Sequence, residues 1–143
     1  MHTQLQILIV SCRPENRKSL LRVLEDLPVT AFCASNLTQA RETLADHSIS
    51  LVFCEERLSD GSYRTLLQDI RGDKSQNTRF VTMLCTGEWE EYLEALHLGA
   101  DEVIRCPLEA TDVDMALIHT MREHRGFEAA KVVDLAKAFA TPA

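Results

Sequence analysis

Short apolar runs alternate along the chain with segments whose apolar residues recur at helical spacing. Such alternation is typical of repeated strand–helix units that build a parallel sheet. The apolar runs predict five strands, at residues 6–10, 29–34, 49–54, 80–85 and 102–105. Residues 7–10 of the first run are all aliphatic, as in a strand that is buried on both faces. The pattern therefore predicts an α/β fold with a doubly wound, five-stranded parallel sheet.

Helical stripes fill the intervals between the predicted strands. Pro14 suits a first helical turn, where its missing N–H costs nothing, and Asn36 suits the N-cap of the second helix. Turn residues at 59–62 precede the third helix, and the last core helix is predicted at 109–124. The fourth helix is predicted to end near Gly99, a natural left-handed cap. Its predicted inward residues are Tyr92, Leu93 and Leu96.

Gly126 separates the five units from the end of the sequence. We expect residues 1–125 to form one domain and residues 126–143 to form a helical tail or linker. Residues 127–140 have the apolar spacing of one more amphipathic helix. Periodicity leaves open whether this extra C-terminal helix packs on the domain, pairs with a second copy or begins a linker to a further domain.

Composition narrows the range of partners. The 143 residues include 15 Lys and Arg against 22 Asp and Glu, a net charge of -7, which disfavours binding to nucleic acid or to anionic membranes. No apolar run approaches the roughly 20 residues that span a bilayer. An odd number of cysteines, five, suits a reducing compartment better than a secreted disulfide framework. We therefore expect a cytoplasmic protein with neither nucleic acid nor membrane as direct partner.

In an open parallel sheet, ligands gather beyond the carboxyl ends of the strands. The residues predicted at those ends are Ser11, Cys12, Arg13, Glu55, Glu56, Cys85, Thr86 and Cys106. The sequence has no Gly-rich phosphate loop, nucleophile elbow or HExxH motif. These absences disfavour an enzyme.

Three segments, in the right order and spacing, resemble the receiver domains of bacterial two-component response regulators. They are residues 7–16, residues 51–61 and, most specifically, ALHLGADEVIRCPL at 95–108. The match covers residues 4–125. It implies a flavodoxin-like (βα)5 fold. It also implies phosphorelay signal transduction, in which a histidine kinase phosphorylates an aspartate after the third strand, beside Mg²⁺ held by two acidic residues.

The resemblance places Glu55 at the phosphoacceptor aspartate. Ser11 and Cys12 stand at the acidic pair, followed by Arg13, so the hard oxygen ligands of Mg²⁺ are missing there. Cys85 stands at the hydroxyl position, although a shift of one residue would put Thr86 there. We therefore expect this pocket to be degenerate, with no cofactor and with Mg²⁺ binding lost.

The end of the matched region departs from the family in the same way. Cys106 replaces the lysine before Pro107, and Val103 replaces the aromatic residue that reports the conformational state in the family. The family uses the fourth helix, fifth strand and fifth helix to contact partners. Trp89, Tyr92 and Val103 are therefore the candidate partner surface.

We interpret the chain as a phosphorylation-independent pseudo-receiver that acts by contact with a histidine kinase or a downstream output protein. A homodimer would use the face of the fourth helix, fifth strand and fifth helix, or the C-terminal helix. Glu55 either imitates the phosphorylated state or is simply a solvated carboxylate. Two alternatives remain: an atypical receiver that still accepts phosphate, and a thiol-lined metal or redox site formed by Cys12, Cys85 and Cys106.

Overall fold

A computed structural model describes residues 5–73, 77–85 and 87–123. The strands are β1 Leu5–Val10, β2 Val29–Ala34, β3 Leu51–Glu55, β4 Arg57–Leu58, β5 Gly61–Ser62, β6 Arg79–Leu84 and β7 Glu102–Arg105. The helices are α1 Pro14–Leu24, α2 Leu37–Asp46, α3 Tyr63–Gly72, α4 Trp89–His97 and α5 Ala110–Glu123. The predicted helix at 127–140 and the whole 126–143 segment lie outside the described residues, as does Thr86.

The main sheet has the strand order β2-β1-β3-β6-β7, and every neighbouring pair is parallel. Strands β4 and β5 form a small antiparallel hairpin between β3 and α3. The predicted five-stranded doubly wound sheet is confirmed. Its strand order reverses between β1 and β3, so their carboxyl ends open the crevice in which such folds bind ligands.

Each strand divides its side chains between two cores, because successive residues point to opposite faces. One core packs α1 and α5 against side chains that include Ile9, Phe53, Met83 and Ile104. The other packs α2, α3 and α4 against side chains that include Val10, Val52, Cys54 and Phe80. Both faces of the central strands are therefore buried, which explains their continuous apolar runs.

The predicted inward stripe of the fourth helix is wrong. In α4 the residue that is fully buried is Ala95, whereas Leu93 and Leu96 are 48% and 37% exposed and Tyr92 is half-buried. A single small side chain lets the helix lie on the sheet, so the larger apolar residues remain outside. By contrast, α5 buries the large apolar residues Val113, Leu117 and Met121, which recur at helical spacing.

Polar contacts fix the loops around this scaffold. The N–H groups of Leu37 and Thr38 donate to the Asp60 carboxylate at 2.8 and 3.2 Å, so the hairpin turn caps α2. The next residue, Gly61, has φ +154°, and a Cβ there would lie 2.5 Å from Leu37 Cδ1. That close approach requires glycine. Among the described helices, none is long and apolar enough to cross a membrane.

Candidate functional site

The candidate site lies at the carboxyl ends of β1, β3, β6 and β7, on the face that α1 and α5 cover. Continued alternation places Ser11 in line with Ile9, Glu55 with Phe53, and Cys85 with Met83, all on that face. A cleft of about 250 Å³ opens at these strand ends. It is lined by Cys12, Arg13, Glu55, Glu56, Arg57 and Cys85. Of the pocket residues that the sequence predicted, those that line the cleft are Cys12, Arg13, Glu55 and Cys85. Ser11 contacts Glu55, and Cys106 contacts Asn16. Pro107 does not line the cleft, and Thr86 lies outside the described residues.

Glu55 is enclosed by hydrogen-bond donors. It is 2% exposed. Ser11 Oγ donates to its Oε2 at 2.5 Å and Asn16 Nδ2 donates to its Oε1 at 3.0 Å. The Arg13 guanidinium approaches Oε1 at 3.3 Å. The hypothesis of a solvated carboxylate is therefore wrong: Glu55 is buried, and protein donors hold both of its oxygens.

The segment from β1 into α1 supplies all three of these donors. The Arg13 N–H donates to Ser11 Oγ at 3.1 Å, which leaves the hydroxyl proton for Glu55. Arg17 Nη1 donates to the Ser11 carbonyl at 2.5 Å and secures the turn between the strand and the helix. Asn16 lies in the first turn of α1, which begins at Pro14. The donors are therefore positioned by the backbone of one short segment.

Asn16 is the site residue that the sequence reasoning missed, because it resembled an ordinary polar residue at a helix start. It precedes Leu20 by four residues and so lies on the buried stripe of α1. A polar side chain on an apolar stripe is the signal that could have identified it. Asn16 is buried and bonded to a carboxylate, as such a group must be.

Three thiols surround this carboxylate and its amide partner. Cys12 Sγ lies 3.9 Å from Glu55 Oε2, Cys85 Sγ lies 3.6 Å from Glu55 Oε1, and Cys106 Sγ lies 3.7 Å from Asn16 Nδ2. Burial, then the hydrogen bond with Cys85, raises the pKa of the Cys106 thiol to about 12. No group of three or more His, Cys, Asp or Glu residues within the described ranges is placed to hold a metal ion. The metal form of the thiol alternative therefore gains no support.

The donor set at the acidic-pair position does not fit Mg²⁺. Mg²⁺ prefers carboxylate and other hard oxygen ligands, whereas Ser11 offers a hydroxyl whose proton is committed to Glu55, and Cys12 offers a soft thiol. Glu55 already accepts from Ser11 and Asn16. A cation would have to displace those donors before it could bind the carboxylate.

Glu56 lies beside Glu55 in the chain but turns toward the opposite face. The Cys85 N–H donates to Glu56 Oε1 at 3.1 Å. Glu56 also faces Glu91 of α4. Burial, then the charge of Glu56 and a hydrogen bond with it, raises the pKa of Glu91, while Arg64 opposes the rise. Two carboxyl groups therefore meet between the end of β3 and α4.

The candidate partner surface lies apart from the residues that line the cleft. Trp89 is 61% exposed and stacks on Tyr92, with ring centroids 5.2 Å apart and an interplanar angle of 6°. Leu93 and Leu96 extend this exposed apolar face of α4. Val103 is half-buried and packs against the core beneath. Trp89 and Tyr92 are therefore available at the surface, whereas Val103 supports it from within.

Solved structures show where else this architecture occurs. The chain is similar to a two-component response regulator from Clostridium difficile, with 28% identity, coverage of 84% of this chain and 98% of that chain, and a TM-score of 0.76. It has the fold of the receiver domain of NtrX from Brucella abortus, with 21% identity, 82% and 99% coverage and a TM-score of 0.75. It also has the fold of the receiver domain of a Luxo repressor protein from Vibrio parahaemolyticus, with 16% identity, 94% and 98% coverage and a TM-score of 0.78. No protein-family model and no curated protein sequence matches the chain.

The sheet order, the covering helices and these likenesses define a flavodoxin-like α/β domain with the receiver fold. At 28% identity to a two-component response regulator, the chain shares a likeness of sequence as well as this fold. The resemblance drawn from residues 7–16, 51–61 and 95–108 is thereby confirmed. What separates this chain from the family's motif is the set of residues around Glu55.

Proposed function

We propose that this receiver domain is a pseudo-receiver, which signals by protein contact without being phosphorylated. The carrying observation is that Glu55, at the phosphoacceptor position, is buried and held by Ser11 Oγ at 2.5 Å and Asn16 Nδ2 at 3.0 Å. A nucleophile must present a free oxygen to the incoming phosphoryl group. This carboxylate instead serves as the acceptor of a structural hydrogen-bond cluster.

Electrostatics supports the same proposal. Attack of a carboxylate on a phosphoryl group brings like charges together, so catalysis needs cations on the transferred group. A Mg²⁺ ion and a lysine supply them in the family, but Ser11, Cys12 and Cys106 stand at those positions here. Arg13 is a nearby cation, but it pairs with Glu55 at 3.3 Å. The Arg13 charge therefore already stabilises the Glu55 carboxylate.

The proposed output surface is the exposed face of α4. Trp89 and Tyr92 form a stacked aromatic pair at the surface, and Leu93 continues the apolar patch. Exposed aromatic residues of this kind are frequent hot spots of protein interfaces. The proposed partners are a histidine kinase or a downstream output protein, and homodimerisation through this face also remains a prediction. That Glu55 imitates the phosphorylated state remains a prediction as well.

Incubation with a small acyl phosphate donor and Mg²⁺, followed by intact-mass measurement, tests the proposal. We expect no mass gain of a phosphoryl group, because neither the free oxygen nor the cations are supplied. Glu55→Gln and Glu56→Gln serve as matched controls on adjacent buried carboxylates. A phosphoryl adduct on the wild type that is labile to hydroxylamine and disappears only in Glu55→Gln would establish the alternative, an atypical but active receiver.

Substitution of Trp89 tests the surface separately. Trp89→Ala should leave the unfolding free energy within about 0.5 kcal/mol of the wild type, because the side chain is exposed. It should weaken binding to the histidine kinase or output protein that the wild type binds, measured by calorimetry. The control is Leu21→Ala, because Leu21 is also exposed but lies on α1, outside the proposed partner face. Equal binding by wild type and Trp89→Ala would show that Trp89 is not part of the partner surface.

A further inference from the structure

Two thiols at the edge of the sheet lie next to each other on neighbouring strands. Strands β6 and β7 pair in parallel with Leu84 opposite Arg105. The Cys106 N–H continues this ladder by donating to the Leu84 carbonyl at 2.9 Å. The next pair in the register is Cys85 with Cys106. Neighbouring strands lie about 4.8 Å apart, which falls within the ~4.4–6.8 Å between Cα atoms that a disulfide bridges.

The two side chains also face each other. Alternation along the strands puts Cys85 on the same face as Met83 and Cys106 on the same face as Ile104. The Cys85 thiol lies close enough to Cys106 to help raise the pKa of the Cys106 thiol. Both are partly exposed, whereas Cys54, on the other face of the sheet, is buried. A reagent in solution can therefore reach this pair.

We propose that Cys85 and Cys106 form a redox pair, which a hydroperoxide oxidises to an intramolecular disulfide and a small dithiol reduces again. The surroundings assign different roles to the two sulfurs. Cys85 lines the open cleft beside Arg13, whereas Cys106 does not line it, so Cys85 is the sulfur that a hydroperoxide entering the cleft meets. Cys106 keeps its proton, since burial and its bond to Cys85 raise its pKa.

The chemistry follows from these roles. The Cys85 thiolate attacks the hydroperoxide, the O–O bond breaks, and the departing alkoxide takes up a proton to become an alcohol. Cys85 is then a sulfenic acid. The Cys106 sulfur attacks the Cys85 sulfur, the S–O bond breaks, and hydroxide leaves with the Cys106 proton as water. Two thiols have lost two electrons, and the hydroperoxide has gained them. A dithiol reverses the reaction by thiol–disulfide exchange.

Oxidation would alter the cluster around Glu55. Cys85 Sγ now lies 3.6 Å from Glu55, and Cys106 Sγ lies 3.7 Å from the Asn16 amide that holds the same carboxylate. Cys85 begins the segment that leads to α4, and Cys106 begins the segment that leads to α5. The disulfide would therefore join the connection that enters α4, the helix with the exposed aromatic pair, to the connection that enters α5.

Peptide mapping without reductant tests the pair directly. Trypsin cleaves after Arg105, so Cys85 falls on peptide 80–105 and Cys106 on peptide 106–122, and the other cysteines fall on separate peptides. After treatment of the native protein with hydrogen peroxide and alkylation of the remaining thiols, we expect these two peptides linked, with a mass lower by two hydrogens. Dithiothreitol should separate them.

Variants make the outcome specific. Cys85→Ser and Cys106→Ser should each abolish the link, and circular dichroism should show that both variants are folded. Cys33→Ser is the matched control, because Cys33 is an exposed thiol on β2 at the opposite edge of the sheet, and it should leave the link unchanged. A predominant link to the peptide of Cys12, or independent oxidation of Cys85 and Cys106 without a link, would overturn the proposal.

Discussion

Glu55 and Glu56 are consecutive, both buried and both acidic, yet their surroundings are opposite. Glu55 lies on the α1 side of the sheet, where Ser11, Asn16 and Arg13 donate to it or pair with it. Glu56 lies on the other side, where the Cys85 N–H donates to it and the Glu91 carboxyl meets it. The two-residue period of a strand creates this difference, because it sends adjacent side chains to different neighbours.

The comparison shows that burial alone does not decide what a carboxylate does. A buried charge must be compensated by donors or cations. At Glu55 three side chains compensate the charge, at the position where the proposed function replaces phosphoryl chemistry with a structural role. At Glu56 the Cys85 N–H donates to the carboxylate, but the Glu91 carboxyl beside it adds a like charge. The two glutamates should therefore respond oppositely to the same substitution.

The largest expected effect is that of Glu55→Gln compared with Glu56→Gln. Glu55→Gln removes the charge that three side chains stabilise and brings an NH₂ group against donors, so it should lower the unfolding free energy by about 1–3 kcal/mol. Glu56→Gln keeps an oxygen for the Cys85 N–H and relieves repulsion with Glu91, so its effect should be near zero or stabilising. Urea unfolding at neutral pH measures both. Equal losses of unfolding free energy in the two variants would contradict the difference between Glu55 and Glu56.

The next effect concerns the donor that the sequence did not reveal. Asn16→Ala should lower the unfolding free energy by about 1–2 kcal/mol, because it leaves Glu55 Oε1 without its amide partner. In the background of Glu55→Gln the same substitution should cost clearly less, since the charged acceptor is gone. A double-mutant cycle measures this coupling. Strictly additive losses would mean that Asn16 does not act through Glu55.

The smallest effect is a pH dependence at the Glu56–Glu91 contact. The pKa of Glu91 is raised in the folded protein, first by burial and then by Glu56. Its contribution to stability is therefore fully present below its unfolded pKa and is lost as pH rises through the folded pKa. Glu91→Gln should remove this part of the pH dependence and raise the melting temperature slightly at neutral pH. The exposed neighbour Glu90 provides the control, Glu90→Gln. A profile unchanged by Glu91→Gln would contradict the contact.

Most of the fold could be predicted from the sequence, because buried positions are apolar and recur with the period of a strand or of a helix. The strands at 29–34 and 102–105 coincide with β2 and β7. The error in α4 arose where periodicity is least informative: Leu93 and Leu96 have helical spacing, but the residue that touches the sheet is the small Ala95. Apolar spacing identifies a stripe without saying whether the core or the solvent receives it.

The sequence predicted which residues form the site better than it predicted their arrangement. The resemblance placed Ser11, Cys85 and Glu55 together, and the structure brings them into contact. Whether Glu55 faced solvent or donors depended on the exact turn between β1 and α1, which brings Asn16 within 3.0 Å. Such a contact joins residues 39 positions apart and leaves no periodic trace in the sequence.

The central claim is that the Glu55 carboxylate is bound by side-chain donors of the protein and does not bind a cation. The NMR signal of the Glu55 carboxyl carbon tests this claim directly. Protein labelled with ¹³C at the glutamate side-chain carboxyls gives a Glu55 signal that is assigned by its disappearance in Glu55→Gln. Titration with millimolar Mg²⁺ should leave the chemical shift of this signal unchanged, because Ser11 and Asn16 keep their hydrogen bonds. A saturable shift of the Glu55 signal would contradict the account.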